Sequence, residues 1–489
     1  MSPKFLAPAL LLLTLVPAGG LAAQRAPSRP ATARPAVSAI QYEIAFDSLL
    51  AGRRRALVTM KFQAAAAGPV LLSLPAWTPG AYEIANFAKK LSAFTPSSGG
   101  RELTWDKTDY DTWRVQVSAA GPVEVRFEFA ADTLENAAAW STGDFLLVNG
   151  TNVFLYPEDA GHDFPAHVSV RTQAGWRVVT GMEADGAAGY RAGNYHDLVD
   201  MPFFIGKLDI DSAQVDGRWH RLATYPSGSL RGLGREVLWE QIRKIMPPIS
   251  AVYGETPFRT YTTMLIFDAG FGGGSALEHQ NSHVGIYNPQ FIGTPVLASI
   301  TAHEIVHAWN VKRLRPADLV PYRYDAPQQT TLLWVSEGIT DYYADLALVR
   351  GGIIDSTVFL NVTNGKIESV GSLPPVALED ASLSTWIQPT DGTGHVYYDK
   401  GSLAGLMLDI YIRDGSDNRR SLDHVMKALY DSTFRRGKGF TTEEFLAYAG
   451  RAAGGRSFAE FHRRYLDGRE AFPWGEVGRL AGLRLATDS

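Results

Sequence analysis

A change of hydrophobic period near Gly234 constrains the fold of this chain more than any other feature. Before it, from Ser38 to about Gly206, short runs alternate apolar and polar residues and are cut by Gly, Pro and Asp: YEIAFDSL, ALVTMKFQ, VLLSLPAW, TWRVQVSA, VEVRFEFA, FLLVNG and HVSVRTQ. Period-two alternation turns one face of each run to a core, and many short strands at this spacing predict an antiparallel β-sandwich. After it, REVLWEQIRKIMPPISAVYG repeats its apolar residues at helical spacing and is predicted to stop at Pro247. YTTMLIF reads as a buried strand and is followed by the Gly-rich DAGFGGGSALEHQNSHVGIY. Thr294 and Pro295 suit a helix cap and first turn, so a helix is predicted from there to a stop ahead of Pro316. Another is predicted over about Thr331 to Arg350, ending at Gly351-Gly352. GSLAGLMLDIYIRD, SLDHVMKALYDS and TTEEFLAYAGRA carry helical patterns on toward Tyr465. The expected class is multidomain α+β, and 489 residues leave room for two to three domains.

The chain has no cysteine, which excludes a thiolate metal site, a disulfide scaffold and a cysteine nucleophile. Any metal must be held by His, Asp or Glu. Net charge is −5 with both signs mixed along the chain, so no electrostatic footprint for nucleic acid is present. VKRLRP is a short basic run, read as complementing a helix C-terminus.

TAHEIVHAWN, residues 301–310, sets two histidines four apart with a glutamate after the first. On a helix, His303 and His307 share a face one turn apart and can reach one ion at about 2.0–2.1 Å. Glu304 is rotated away from them by roughly 100°, beside the metal rather than on it, where a general base belongs. A catalytic zinc needs a third protein ligand and one free position. In LLWVSEGITDYYADLAL, Glu337 stands among Leu332, Leu333, Trp334, Val335 and Ile339, where a carboxylate is costly unless paired or metal-bound. Asp341, one turn on, can accept the second ring N–H of a ligand histidine. Asp345 reads as a plain surface acid.

HVYYDKGSLAG offers Tyr397 and Tyr398 ahead of a helix, and a phenol there can stabilise an oxyanion. Spacing does not choose between them. Gly273 and Gly274 let backbone approach a bound peptide, and Glu278 at the end of that stretch can bind a substrate ammonium group. A turn-exposed acid is the plain alternative. His279, His283 and His395 have no spacing of a second ligand set, and His162, His167, His196, His220, His424 and His462 read as surface or structural residues.

Taken together, HEIVHAWNVKRLRP, WVSEGITDYY, GGSALEH and YYDKGSLAG resemble the gluzincin metallopeptidases, and among them the glycyl aminopeptidase family (metallopeptidase family sixty-one). LPAWTPGAYEI and LVDMPFFIG resemble stretches of that family's N-terminal β-domain, and the likeness spans about residues 38–470. It implies one Zn²⁺ per chain on His303, His307 and Glu337, with Glu304 as general base. It also implies Glu278 as amine anchor, Tyr398 rather than Tyr397 as oxyanion stabiliser, and Asp341 as the supporting acid. The fold it implies is a β-sandwich, a thermolysin-like catalytic domain and a helical C-terminal part. The expected organisation is a signal peptide over 1–23, a linker over 24–37, the sandwich over 38–206, the catalytic domain over 207–352, helices over 353–470 and a tail over 471–489 in place of the PDZ domain that family members often carry. The exopeptidase loop reads Gly-Ser-Ala-Leu-Glu, one small residue longer than the family's shorter form.

The expected activity is removal of small N-terminal residues, Gly or Ala, from peptides with a free N-terminus. Endopeptidase action on the same scaffold is one alternative, and a catalytically dead secreted binding protein is another. MSPKFLAPALLLLTLVPAGGLAAQ has a basic start, a short apolar run and small residues, a secretory signal with cleavage near Ala22 or Ala23 that predicts a periplasmic or secreted protein with no remaining span.

Overall fold

The computed structural model describes residues 36–186 and 189–483, so the expected signal peptide, most of the linker and the end of the tail lie outside the described residues. The first part is built from sheets. In Arg55–Ala64 the residues Ala56, Val58, Met60, Phe62 and Ala64 are buried while Lys61 and Gln63 face solvent, the two-residue period expected of a half-buried strand. This strand lies inside an eight-stranded sheet, and two four-stranded sheets accompany it. Pairing is antiparallel except that Val37–Phe46 runs parallel to Ala166–Thr172, with Gln41 opposite His167. Alternation reports which face of a strand is buried and not the direction of its neighbour, so this pair was not legible in the sequence.

A five-stranded sheet follows, in the order Asp209–Val215, Arg218–Tyr225, Thr260–Phe267, Ser282–Tyr287, Gly274–His279. Its three middle strands are parallel, and the edge strand Gly274–His279 returns antiparallel to Ser282–Tyr287. Phe145, Leu147 and Phe204 of the first part pack with Ala223, Met264, Ile266, Val284 and Ile286 of this sheet in one buried cluster. The two parts therefore meet through apolar side chains.

The helix at Gly234 runs to Tyr253 and passes through Pro247 and Pro248. Each proline removes an amide donor at a cost of about 3 kcal/mol in a helix interior. Here Pro247 faces solvent, and Ile249, Val252 and Tyr253 beyond it bury on the core side, which offsets the loss. The next helix starts as predicted, with Thr294 Oγ1 accepting from Leu297 N and Pro295 at its first position. It ends at Val306, and a series of turns leads on from His307 instead of helix. Helices Ser356–Gly371, Leu378–Ser384, Val396–Gly415, Leu422–Thr433, Thr442–Ala452 and Trp474–Leu480 make up most of the remainder. No helix among the described residues is long and apolar enough to cross a membrane.

Candidate metal centre

His303 and His307 come off the last turn of the helix Pro295–Val306 and its cap, and their Nε2 atoms lie 2.9 Å apart. Glu337 Oε2 is 3.4 Å from His303 Nε2 and 3.2 Å from His307 Nε2. Four ligands around zinc at about 2.0–2.1 Å stand about 3.3–3.4 Å from one another, so these three atoms trace one face of such a tetrahedron. Two imidazoles and one carboxylate are also a donor set that zinc accepts. Among the described residues this is the one group of His, Asp and Glu gathered closely enough to hold an ion.

Glu337 sits on a π-helical turn, Trp334–Ile339, ahead of the α-helix Thr340–Arg350. The wider turn goes with an unusually close crossing. A Cβ on Gly338 would stand 2.5 Å from Gly401 Cα and from the Tyr397 carbonyl, and a Cβ on Gly401 would stand 2.8 Å from the Trp334 carbonyl. Two glycines thus let the turn that carries Glu337 lie directly on the helix Val396–Gly415, which carries the tyrosine pair. Single π-turns inside helices gather at functional sites.

Each candidate ligand is held from behind. His307 Nδ1 donates to the Asn310 carbonyl at 2.8 Å, which leaves Nε2 to face the centre. Asn310 in turn donates to the Val335 carbonyl and Thr340 Oγ1, tying the two ligand segments together. His303 Nδ1 is 3.6 Å from Asp341 Oδ1. Lys366, from the helix Ser356–Gly371, pairs with Asp341 and also reaches Asp345 at 2.6 Å and Ser402 Oγ at 2.9 Å. Asp345, expected at the surface, is buried, and burial pushes its carboxyl up to about 6 against the pull of Lys366. The periodic pattern could not show this because the covering helix lies 21 residues on. Tyr82, from the first part of the chain, donates to Glu337 Oε1 at 2.9 Å.

Burial works against charge at all three ligands, yet the carboxylates draw both imidazoles above their ordinary value and the imidazoles hold Glu337 well below its own. His303, His307 and Glu337 would hold a divalent cation, which would take the place of those protons as the counter-charge. Asp341 is likewise pushed up by burial and brought down to about 2 by Lys366 and His303.

Glu304 is buried beside the ligands, and its Oε2 has no hydrogen-bond partner in the protein. Burial raises its carboxyl to about 7, against the lowering effect of His303 and His307. The tyrosines part company. Tyr397 is buried and shares a 3.1 Å hydrogen bond with Thr385 Oγ1, whereas Tyr398 is half-buried with its ring centroid 5.9 Å from that of His303. Burial, with Glu337 adding to it, pushes the Tyr398 phenol well above its usual value, so it stays a donor.

Glu278 lies near the end of the edge strand Gly274–His279, 3% exposed, with Oε1 3.7 Å from Lys312 Nζ and no hydrogen-bond partner for that oxygen. Its charge is close enough to raise both Glu304 and Tyr398. A turn-exposed acid is thus ruled out by the burial. Gly273 has open space around it, and Gly274 packs on the Tyr287 ring. Lys312, read in the sequence as part of a basic helix end, is buried and pairs with Asp200 at 2.9 Å. His279 and His283 are buried but not near a second ligand set: His279 Nδ1 meets Asp200, and His283 Nδ1 meets the Tyr261 hydroxyl. His395 is exposed beside the tyrosines.

Tyr82, Asn310, Lys312 and Lys366 are members of this centre that sequence reasoning missed. Tyr82 falls within LPAWTPGAYEI, which carried the family likeness, but nothing local connects it to a glutamate 255 residues away.

Two family models match the chain, "Peptidase M61 N-terminal domain" over residues 41–207 and "M61 glycyl aminopeptidase" over residues 296–404. No curated protein matches the sequence. Among solved structures, an aminopeptidase N family protein from Idiomarina loihiensis aligns with a TM-score of 0.83 at 25% identity, over 90% of this chain and 78% of that one. An M1 zinc metallopeptidase from Deinococcus radiodurans shares the fold at a TM-score of 0.55 and 14% identity, over 90% of this chain and 96% of that one. A mutant of that enzyme, bound to a Tyr-Ser-Ala substrate, aligns at 0.53 and 14% identity, over 89% and 95% of the two chains. With both stretches matched and the His-His-Glu group assembled within the second, the chain belongs to the M61 family of metallopeptidases.

Proposed function

We propose that this protein is a zinc aminopeptidase, holding one Zn²⁺ on His303, His307 and Glu337 and removing small N-terminal residues, Gly or Ala, from peptides. One observation carries the reading. Two buried carboxylate oxygens that accept no hydrogen bond from the protein, Glu304 Oε2 and Glu278 Oε1, stand beside the His303, His307 and Glu337 group. The second has Lys312 only as an ion pair at 3.7 Å. A buried unpaired acceptor is expensive, and two of them beside a metal set are explained by groups that arrive with the reaction. The preference for Gly rests on the family description alone, and its extension to Ala on the resemblance noted in the sequence.

When bound, zinc supplies Lewis-acid chemistry, polarising the scissile carbonyl and lowering the pKa of water toward neutrality. Glu304 accepts the proton from the attacking water at Oε2 and delivers it to the leaving amine. Tyr398 donates its hydroxyl hydrogen bond to the developing oxyanion. Glu278 receives the substrate ammonium, and with Lys312 standing by its Oε1 the anchor keeps its place at the end of the edge strand. The apolar leader in residues 1–23 supports export, followed by action in the periplasm or outside the cell.

The test compares aminoacyl amides and peptides with and without N-acetylation. Free-amine substrates should be cleaved at least about 30-fold faster, and Glu278→Gln should erase most of that preference, because a buried charge pair is worth about 2–5 kcal/mol. Equal cleavage of blocked peptides would identify an endopeptidase and remove the aminopeptidase reading.

A further inference from the structure

Loops ordinarily run over the surface, yet Leu74–Pro79 is buried throughout and Tyr82 beyond it is 3% exposed. The segment is fastened at several points. Ala76 N donates to the Tyr324 carbonyl at 2.7 Å, Trp77 Nε1 to the Arg323 carbonyl at 2.8 Å, and Thr78 Oγ1 meets Thr151 Oγ1 at 2.6 Å. Trp386 packs edge-on against both Trp77 and Tyr82. At its tip the backbone enters sparsely populated regions: Gly80 has φ +108 and Tyr82 has φ 49. A bulky residue in the left-handed region is uncommon and persists only where the surroundings compel it, typically at functional sites.

The tip faces the candidate centre. Tyr82 Oη donates to Glu337 Oε1, while Glu337 Oε2 faces the two imidazoles. One oxygen of the third ligand is thereby taken up by a phenol, and the other is left for the ion. Two residues earlier, a Cβ on Gly80 would stand 2.5 Å from Glu278 Oε1, and the Pro79 carbonyl accepts from Lys312 Nζ at 3.4 Å.

We propose that the Thr78–Tyr82 loop of the N-terminal part is a working wall of the metal centre, in which Tyr82 is the positioning residue that fixes Glu337 for zinc. The inference rests on the reading that Glu337 is a zinc ligand. Outer hydrogen-bond partners of metal ligands are worth about 10–100-fold in metal affinity. Tyr82→Phe keeps the ring and deletes only the donor, so zinc binding, measured by competition with a chromogenic chelator, should weaken about 10–100-fold. Tyr42→Phe, which deletes a buried phenol's hydrogen bond to the Leu155 carbonyl elsewhere in the N-terminal part, should leave zinc affinity within about twofold.

An affinity for Tyr82→Phe equal to wild type, even with a lowered Tm, would make the tyrosine merely structural and overturn the proposal. Equal weakening by Tyr42→Phe would do the same, since the effect would then be general loosening of the N-terminal part. His303→Ala in the same titration separates the two readings: if it binds zinc as wild type does, the ligand assignment itself fails, whatever Tyr82 does.

Discussion

Glu304 shows how a single carboxylate is tuned by where it sits. Burial pushes its carboxyl up to about 7 from an ordinary 4.5, overriding the lowering pull of His303 and His307, with Glu278 and Glu337 adding smaller upward pushes. A raised acid binds its proton more tightly folded than unfolded. Its contribution to stability is therefore complete below pH 4.5 and is lost as pH rises toward 7. In metal-free protein, Glu304→Gln should consequently be more stable than wild type at pH 8, by up to about 3 kcal/mol, and gain little at pH 4.5. Denaturant unfolding of the two apo proteins at both pH values checks this, and a pH-independent difference would show that the carboxylate carries no such shift. With zinc supplied, the same variant should lose activity by about 100- to 10,000-fold while its zinc content matches wild type, because the proposed proton acceptor is gone and the proposed ligands are not.

At the scale of elements, the centre depends on a crossing that only glycine permits. Gly338 and Gly401 lie on opposite helices, each where the other's backbone would meet a Cβ. The π-turn Trp334–Ile339 and the start of Val396–Gly415 are locked by that contact, so Glu337 and Tyr398 are placed together. Gly401→Ala should force the helices apart. Overpacking of this kind costs about 1–3 kcal/mol, and activity should fall more than tenfold because a small displacement of reacting groups is strongly penalised. Unfolding midpoints and turnover together check the expectation; an unchanged turnover would mean that the crossing is not what positions Glu337. The helix Gly234–Tyr253 carries the opposite lesson. Its two prolines pointed to a stop, and burial of the residues after them overrode the local signal.

For the whole molecule, the ion and the fold should be linked. A ligand that binds only the folded state adds about 4 kcal/mol when present at 1,000 times its Kd. Treatment with a chelator should therefore lower the Tm by several degrees, and added zinc should restore it. His303→Ala should show no such difference between chelated and zinc-supplied protein, and a chelator shift that persists in that variant would place the stabilising ion elsewhere. The same linkage reaches the N-terminal sheets, because the apolar cluster of Phe145, Phe204 and Met264 fastens them to the catalytic sheet and Tyr82 reaches across to Glu337.

Sequence alone determined the elements whose signal is local. The H-E-x-x-H spacing, the Thr294-Pro295 cap and the two-residue alternation of the strands each depend on residues within one or two turns of one another, so they were legible without a fold. The surrounded glutamate at 337 was legible as well, since an acid among Leu332, Leu333, Trp334 and Val335 needs a reason. Tertiary structure decided what depends on distant chain. Tyr398 was set beside His303 while Tyr397 met Thr385, Asp345 was covered by Lys366 from another helix, and Glu278 was covered by Gly80 from a loop of the N-terminal part. Periodicity records how residues face a core but not which remote segment covers them, and the covering segments here complete the site.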